Sequence, residues 1–156
     1  RVECYGLLIS FIGTLTCIHP KGHVCNCGKR GCLEAYTSGT ALAKIAQERV
    51  SRLSAAQKKK NCMLKMTHGI RSNIDASVIE KAARAGDTMA IRIFNEMGYN
   101  LGIGLSSIIH TLNPQRVILG GSVAKAYNLF IASMRKTLKE NVWKVPFSKC
   151  KIVRSS

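Results

Sequence analysis

Acidic residues are scarce in this chain: eight Asp and Glu stand against 24 Lys and Arg, for a formal net charge of +16. Only two of the acids are aspartates, Asp75 and Asp87. So strong a positive balance favours polyanions, among them nucleic acids, nucleotides and anionic membranes. The patterns that would specify nucleic acid are nevertheless missing. There is no helix-turn-helix, RRM or zinc-finger spacing, and the sole cationic run, Lys58 to Lys60 in "QKKKN", has no interleaved aromatics. That run reads as a solvated loop or helix end, and the overall excess reads equally as the counterpart of an acidic part of a longer protein. Long apolar runs are also lacking. Nothing approaches the roughly eighteen residues needed to cross a bilayer, and "YGLLISFIGTLTCI" near the start has no small-residue cleavage site, so the chain reads as soluble with no membrane partner.

What is present is a globular composition, 46% hydrophobic and 21% charged, in 156 residues. That length suits one ordinary domain with a real core. A start at Arg1 rather than methionine reads as a processed chain or a piece of something longer. The seven cysteines are an odd number, so they cannot all pair internally. Three of them fall within eight residues, "CNCGKRGC", from Cys25 to Cys32. Cys25 and Cys27 are too close in sequence for an easy disulfide, whereas clustered thiolates around tight glycine turns suit a metal. A reducing compartment, the cytoplasm, follows.

Periodicity gives an alternating pattern. Residues 5 to 18 are expected to supply one or two strands, with Gly13 as a turn or bulge. Apolar residues at helical intervals from Leu33 to about Leu53 predict helix, broken into two by Ser38 and Gly39. The polar, basic segment Ser54 to Asn73 reads as helix ends plus connection. Asp75 is placed to cap a short helix, Ala76 to Ala85, with Ile74 and Ile79 as a hydrophobic staple. Asp87 or Thr88 starts the strongest predicted helix, residues 87–112, whose apolar stripe runs through Ile93, Phe94, Met97, Leu101, Leu105 and Ile109. Gly98, Gly102 and Gly104 inside it each cost roughly 1 kcal/mol relative to alanine, a cost that suits a buried helix closely approached by its neighbours. Pro114 ends it, and residues 115–140 read as strand, Gly120-Gly121, then helix. Such an arrangement can aim backbone N–H groups at an anion, although a tight connection needs small residues in any case. The final "KCKIVRSS" reads as another strand.

Two stretches, "GHVCNCGKRGCLEAYTSGTALA" (22–43) and "LGIGLSSIIHTLNPQRVILGGSVA" (101–124), resemble the ROK family of bacterial sugar kinases, sugar-responsive repressors and the kinase half of the animal sialic-acid enzyme. The first carries the CxCGxxGCxE element and the second the family's LGxGLxxxxxxxNPxxxxxGG signature. The similarity covers roughly residues 11 to 156. It implies an α/β, actin-like (ribonuclease H-like) ATPase fold, of which this chain is one incomplete lobe, a partial C-terminal lobe with a zinc-binding loop at 22–34. By that resemblance Cys25, Cys27 and Cys32 are ligands of a structural Zn2+, Glu34 accepts hydrogen bonds from sugar hydroxyls, and Gly120 and Gly121 lie along the adenosine of a nucleotide. A helix N-terminal acid stabilised by the dipole is the plainer reading of Glu34.

The chain also departs from the family. Its Glu-x-Gly-His element is replaced by "FIGT", with Phe11 in the glutamate position and Thr14 in that of the histidine, the fourth zinc ligand. His19, His23 and Cys17 are the candidate substitutes, of which His23, two residues before Cys25, would strain to close the same tetrahedron. The family's N-terminal phosphate loop and its Asn-Asp pair with the catalytic aspartate have no counterpart here, so no catalytic residue is assigned. ATP and Mg2+ are implied only together with that phosphate-binding lobe. The resemblance therefore implies a fragment or degenerate member of a sugar kinase, phosphorylating a hexose or N-acetylhexosamine with ATP and inactive alone. Its alternatives are the sugar-binding part of a repressor, the one case with a nucleic-acid partner, and a non-catalytic zinc-stabilised module. Family members often form homodimers, and the apolar helices here are compatible with one.

Overall fold

The computed structural model describes residues 16–155, apart from the side chains of Ser122 and Val123. The strands expected over 5 to 18, and Gly13, Phe11 and Thr14, therefore lie wholly or largely outside the described residues. Within them the chain is mostly helical, with one two-stranded sheet.

The break expected at Ser38 is present. Helix α1 is Glu34–Thr37 and α2 is Gly39–Ser51, with the Ser38 hydroxyl accepting from the Ala41 N–H as N-cap. The segment after Ser54 departs from the sequence reading, because it forms two short helices, α3 (Ala55–Lys60) and α4 (Cys62–Met66). Their cause is capping. Ser54 and Gln57 close a reciprocal capping box at α3, and Asn61 accepts from the Leu64 N–H at α4. The lysine run thus lies on α3, a helix with no buried residue. A 3-10 turn at Arg71–Asn73 leads to α5, Ala76–Arg84, where the Asp75 carboxylate accepts from the Val78 N–H. Ile74 and Ile79, the expected staple, are both fully buried.

Helix α6, Thr88–Leu112, is the spine of the fold. The Asp87 carboxylate caps it through the Ala90 N–H, and Asn113 ends it in the left-handed region at φ 43°, a conformation asparagine tolerates well. Strand β1, Arg116–Leu119, follows; a 3-10 turn, Ser122–Ala126, then precedes α7, Tyr127–Asn141, so the helix begins later than the Val123 expected. A short α8, Lys144–Lys149, leads into β2, Lys151–Arg154, which pairs with β1 in parallel register, Val117 opposite Ile152.

The core gathers on α6. Phe94, Ile93, Met97 and Ile109 pack with Phe130, Met134 and Leu138 of α7, with Val50 and Leu42 of α2, and with the β1 residues Val117 and Leu119. The glycines of α6 explain how closely α7 approaches. A Cβ at Gly98 would collide with the Phe130 carbonyl, and one at Gly102 would stand 2.6 Å from the Thr137 Cβ. A second, smaller cluster of Cys25, Cys32, Ala35 and Tyr36 stands apart from this core.

Candidate metal centre and ligand walls

Residues 16–33 form a compact loop held by two isolated antiparallel bridges, Cys17 with Cys32 and Val24 with Arg30. At its base the Ile18 N–H donates to the Gly31 carbonyl and the Leu33 N–H to the Thr16 carbonyl, both at 2.8 Å. At its tip the Cys25 N–H donates to the Lys29 carbonyl at 2.8 Å and the Gly28 N–H to the Cys25 carbonyl at 3.0 Å. Gly31 is required twice over: its φ of +73° is in the left-handed region, and a Cβ there would overlap the His19 carbonyl.

This turn brings three sulfurs together. The Sγ atoms of Cys25, Cys27 and Cys32 all lie within 4.8 Å of one another, those of Cys27 and Cys32 at 3.6 Å. Tetrahedral zinc with Zn–S bonds of about 2.3 Å needs sulfurs about 3.8 Å apart, so the trio fits such an ion with small adjustments. Cys25 and Cys32 are buried and Cys27 is exposed. The backbone N–H of Lys29, then the Cys25 side chain, lowers the pKa of the Cys27 thiol. Burial, then its contacts with the other two thiols, pushes Cys32 up to about 12. A divalent cation would relieve that cost, because coordination favours the thiolate.

The candidates for a fourth ligand are separated by their partners. His19 donates from Nε2 to Asn100 Oδ1 at 3.1 Å, and its ring meets Tyr36 edge-on at 5.2 Å. The His23 ring lies tilted 5.0 Å from that of Tyr36, and its backbone N–H donates to the Tyr36 hydroxyl at 2.9 Å. Cys17 is exposed, and its thiol has only a long contact, 3.6 Å, to the Arg30 carbonyl. Among the described residues, the three clustered cysteines are the one group placed to hold a metal.

Glu34 opens α1, two residues after Cys32, and is half-buried. With His23, Ser38, Lys44 and Glu48 it lines an open pocket of about 200 Å³ that also touches Cys25. The residues 22–34 and Glu34 are thus brought into one neighbourhood. Gly120 and Gly121 are elsewhere, at the end of β1. Gly121 has φ +85° with open space where a side chain would stand, whereas Gly120 faces Ser155, whose Oγ would lie 3.3 Å from an added Cβ. Tyr36 was not foreseen: a single tyrosine two residues past Glu34 carries no signal until the loop folds back upon it. Lys44 and Glu48 were likewise legible as helix residues and Ser38 as a break between helices, but none of them as pocket lining.

The ROK family description matches residues 11–156. A glucokinase from Halalkalibacterium halodurans is 32% identical over 80% of this chain and 36% of its own length. A xylose repressor from Bacillus subtilis is 31% identical over 79% of this chain and 27% of its own. The chain thus spans about a third of the length of the curated relatives it matches. Among solved structures, a ROK family glucokinase from Streptomyces griseus in complex with glucose and AMPPNP superposes with a TM-score of 0.76 at 27% identity, over 92% of this chain and 45% of that one. Among the described residues no helix is long and apolar enough to cross a membrane. With the family description covering all but the first ten residues, this chain belongs to the ROK family.

Proposed function

We propose that these residues form one part of a ROK-type sugar kinase, carrying the zinc loop, part of the sugar wall and part of the nucleotide wall of an actin-like lobe. The completed protein transfers the γ-phosphate of ATP to a hexose or N-acetylhexosamine. The observation that carries this reading is the convergence of the Cys25, Cys27 and Cys32 sulfurs directly before Glu34. Bound to them, zinc supplies folding energy to a loop that has only a small cluster of its own. Glu34 then offers two acceptor oxygens to paired sugar hydroxyls, in a pocket smaller than the about 300–1,000 Å³ of a complete ligand site, as befits one wall of a cleft. Gly121 leaves open space beside β1 in which an adenosine can lie against backbone.

Phosphoryl transfer itself needs a base and a phosphate cradle with Mg2+. Both aspartates present serve as helix caps, Asp75 at α5 and Asp87 at α6, and neither lines the Glu34 pocket where that base would have to stand. The 156 residues therefore bind and position without running the reaction. The test is paired. Calorimetric titration with glucose and N-acetylglucosamine should show sugar binding that Glu34→Gln abolishes, while coupled assays show no sugar-dependent ATP consumption. Equal binding by both forms removes Glu34 from the sugar site. Turnover that depends on Glu34 overturns the division of labour.

A repressor reading has support beside the kinase one, since a ROK family transcriptional regulator homologous to the Escherichia coli MLC protein superposes with a TM-score of 0.74 at 25% identity. In that case a DNA-binding module accompanies the sugar wall. A gene whose product opens on a phosphate loop supports the kinase, and one whose product opens on a helix-turn-helix supports the repressor. The "FIGT" substitution favours a third form, a zinc-stabilised module without catalysis.

A further inference from the structure

We propose that Cys17 is the fourth ligand of the metal loop, completing a four-thiolate site. The inference rests on the metal reading above and extends it to a residue that stands outside the clustered trio.

The backbone pattern places Cys17 beside the cluster. The hydrogen bonds from Ile18 N–H to the Gly31 carbonyl and from Leu33 N–H to the Thr16 carbonyl flank the facing pair Cys17 and Cys32 without joining them. They are therefore a non-hydrogen-bonded antiparallel pair, the closer of the two kinds, with Cα atoms about 4.5 Å apart and side chains on the same face. Cys32 directs its sulfur into the trio, so the Cys17 Cβ stands next to that trio as well. In this structure the Cys17 thiol turns instead to the Arg30 carbonyl, a contact of 3.6 Å that a weak thiol donor gives up at little cost. A rotation about χ1, between staggered states, is the motion required.

The competitors are held elsewhere. Turning His19 to the metal breaks its hydrogen bond to Asn100 and its edge contact with Tyr36. His23 is packed on Tyr36 and follows the direction of its own backbone bond to the Tyr36 hydroxyl. Cys17, exposed like the two histidines, is the one of the three with no packed ring to move. As a thiolate, Cys17 is also a soft donor of the kind that binds zinc strongly.

The test is metal spectroscopy on the full chain under reductant, comparing the unaltered protein with Cys17→Ala, Cys17→Ser and, as a control outside the loop, Cys62→Ser. X-ray absorption of the zinc-loaded protein should give four sulfur neighbours at about 2.3 Å, and the Cys17 variants three sulfurs and one lighter atom. With cobalt, the thiolate-to-metal charge-transfer absorption should fall by about a quarter in the Cys17 variants and stay unchanged in Cys62→Ser. Zinc affinity should drop at least about tenfold, since even indirect supports of a metal ligand cost that much. Far-UV circular dichroism checks that each variant keeps its helices. Three sulfurs in the unaltered protein, or four that persist in Cys17→Ala, overturn the proposal and leave the metal loop standing. Absence of any bound metal in the unaltered protein sinks the metal reading itself.

Discussion

A Cβ on Gly104 would stand 2.5 Å from Cδ2 of Leu33, so the residue that follows Cys32 is keyed into a notch on α6. Leu33 is buried in the main core while its neighbour Cys32 belongs to the small cluster of the loop. Together with the His19–Asn100 hydrogen bond and the half-buried Ile18, this contact fastens the cysteine loop to the longest helix.

That fastening separates two glycine substitutions. Gly98→Ala places a methyl against the Phe130 carbonyl and the Met134 nitrogen, backbone atoms that cannot swing away. It should cost about 1–3 kcal/mol in urea unfolding, in spite of the better helix propensity of alanine. Gly104→Ala meets only the end of the Leu33 side chain. Its loss of stability should be smaller and should be accompanied by weaker metal binding, read by competition with a chromogenic chelator.

Purified under reducing, non-chelating conditions, the chain should carry about one zinc per molecule, measured by elemental analysis. Stripping the metal should leave most of the helical circular dichroism in place, because the cysteine cluster is distinct from the core built on α6 and α7. It should also expose Cys25 and Cys32 to thiol reagents. Loss of all helicity with the metal would show that the two clusters fold as one unit.

The metal-free protein should lose stability as pH rises from 9 towards 12. Burial holds the Cys32 thiol protonated up to about 12, while the same group in the unfolded chain ionises near the ordinary 9.0. Across that window the unfolded state binds fewer protons than the folded one, so the slope of unfolding free energy against pH is negative. Cys32→Ala should remove that contribution to the slope in denaturation measured with reductant present. Zinc should reverse the sense, since coordination requires thiolates and its affinity rises with pH.

Asp75→Ala and Asp87→Ala should each cost about 0.5–2 kcal/mol of stability, the usual effect of losing an N-cap oxygen. Neither should change sugar or nucleotide binding. A binding defect in a variant that unfolds at the same urea concentration as the parent would give one of these aspartates a functional role beyond capping.

Much of the scaffold was legible because its signals are local. Asp75 and Asp87 announce helix starts that the structure confirms, the latter to within a residue for α6, whose apolar stripe runs from Ile93 to Ile109, and Ser38 marks the break between α1 and α2. Helices α3 and α4 escaped because their apolar pattern is weak; the Ser54–Gln57 capping box and Asn61 were visible but stood before segments only six and five residues long. The 3-10 turn before α7 blurred a helix start that periodicity placed at Val123. At the site, cysteine spacing anticipated the trio of sulfurs. The proximity of Cys17 to it was not legible, since it depends on a bridge across fifteen residues whose register only the folded loop reveals.

The notches at Gly98 and Gly102, filled by the Phe130 carbonyl and by Thr137, interlock α6 with α7 like teeth. Sliding one helix along the other by a single residue would drive a side chain into the Phe130 carbonyl at one point and into the Thr137 side chain at the other. The pair must consequently travel as a solid bar, and any opening or closing around a ligand has to be taken up at its ends, in the bend at Asn113 and Pro114 and in the short stretch at Val142 and Trp143 between α7 and α8.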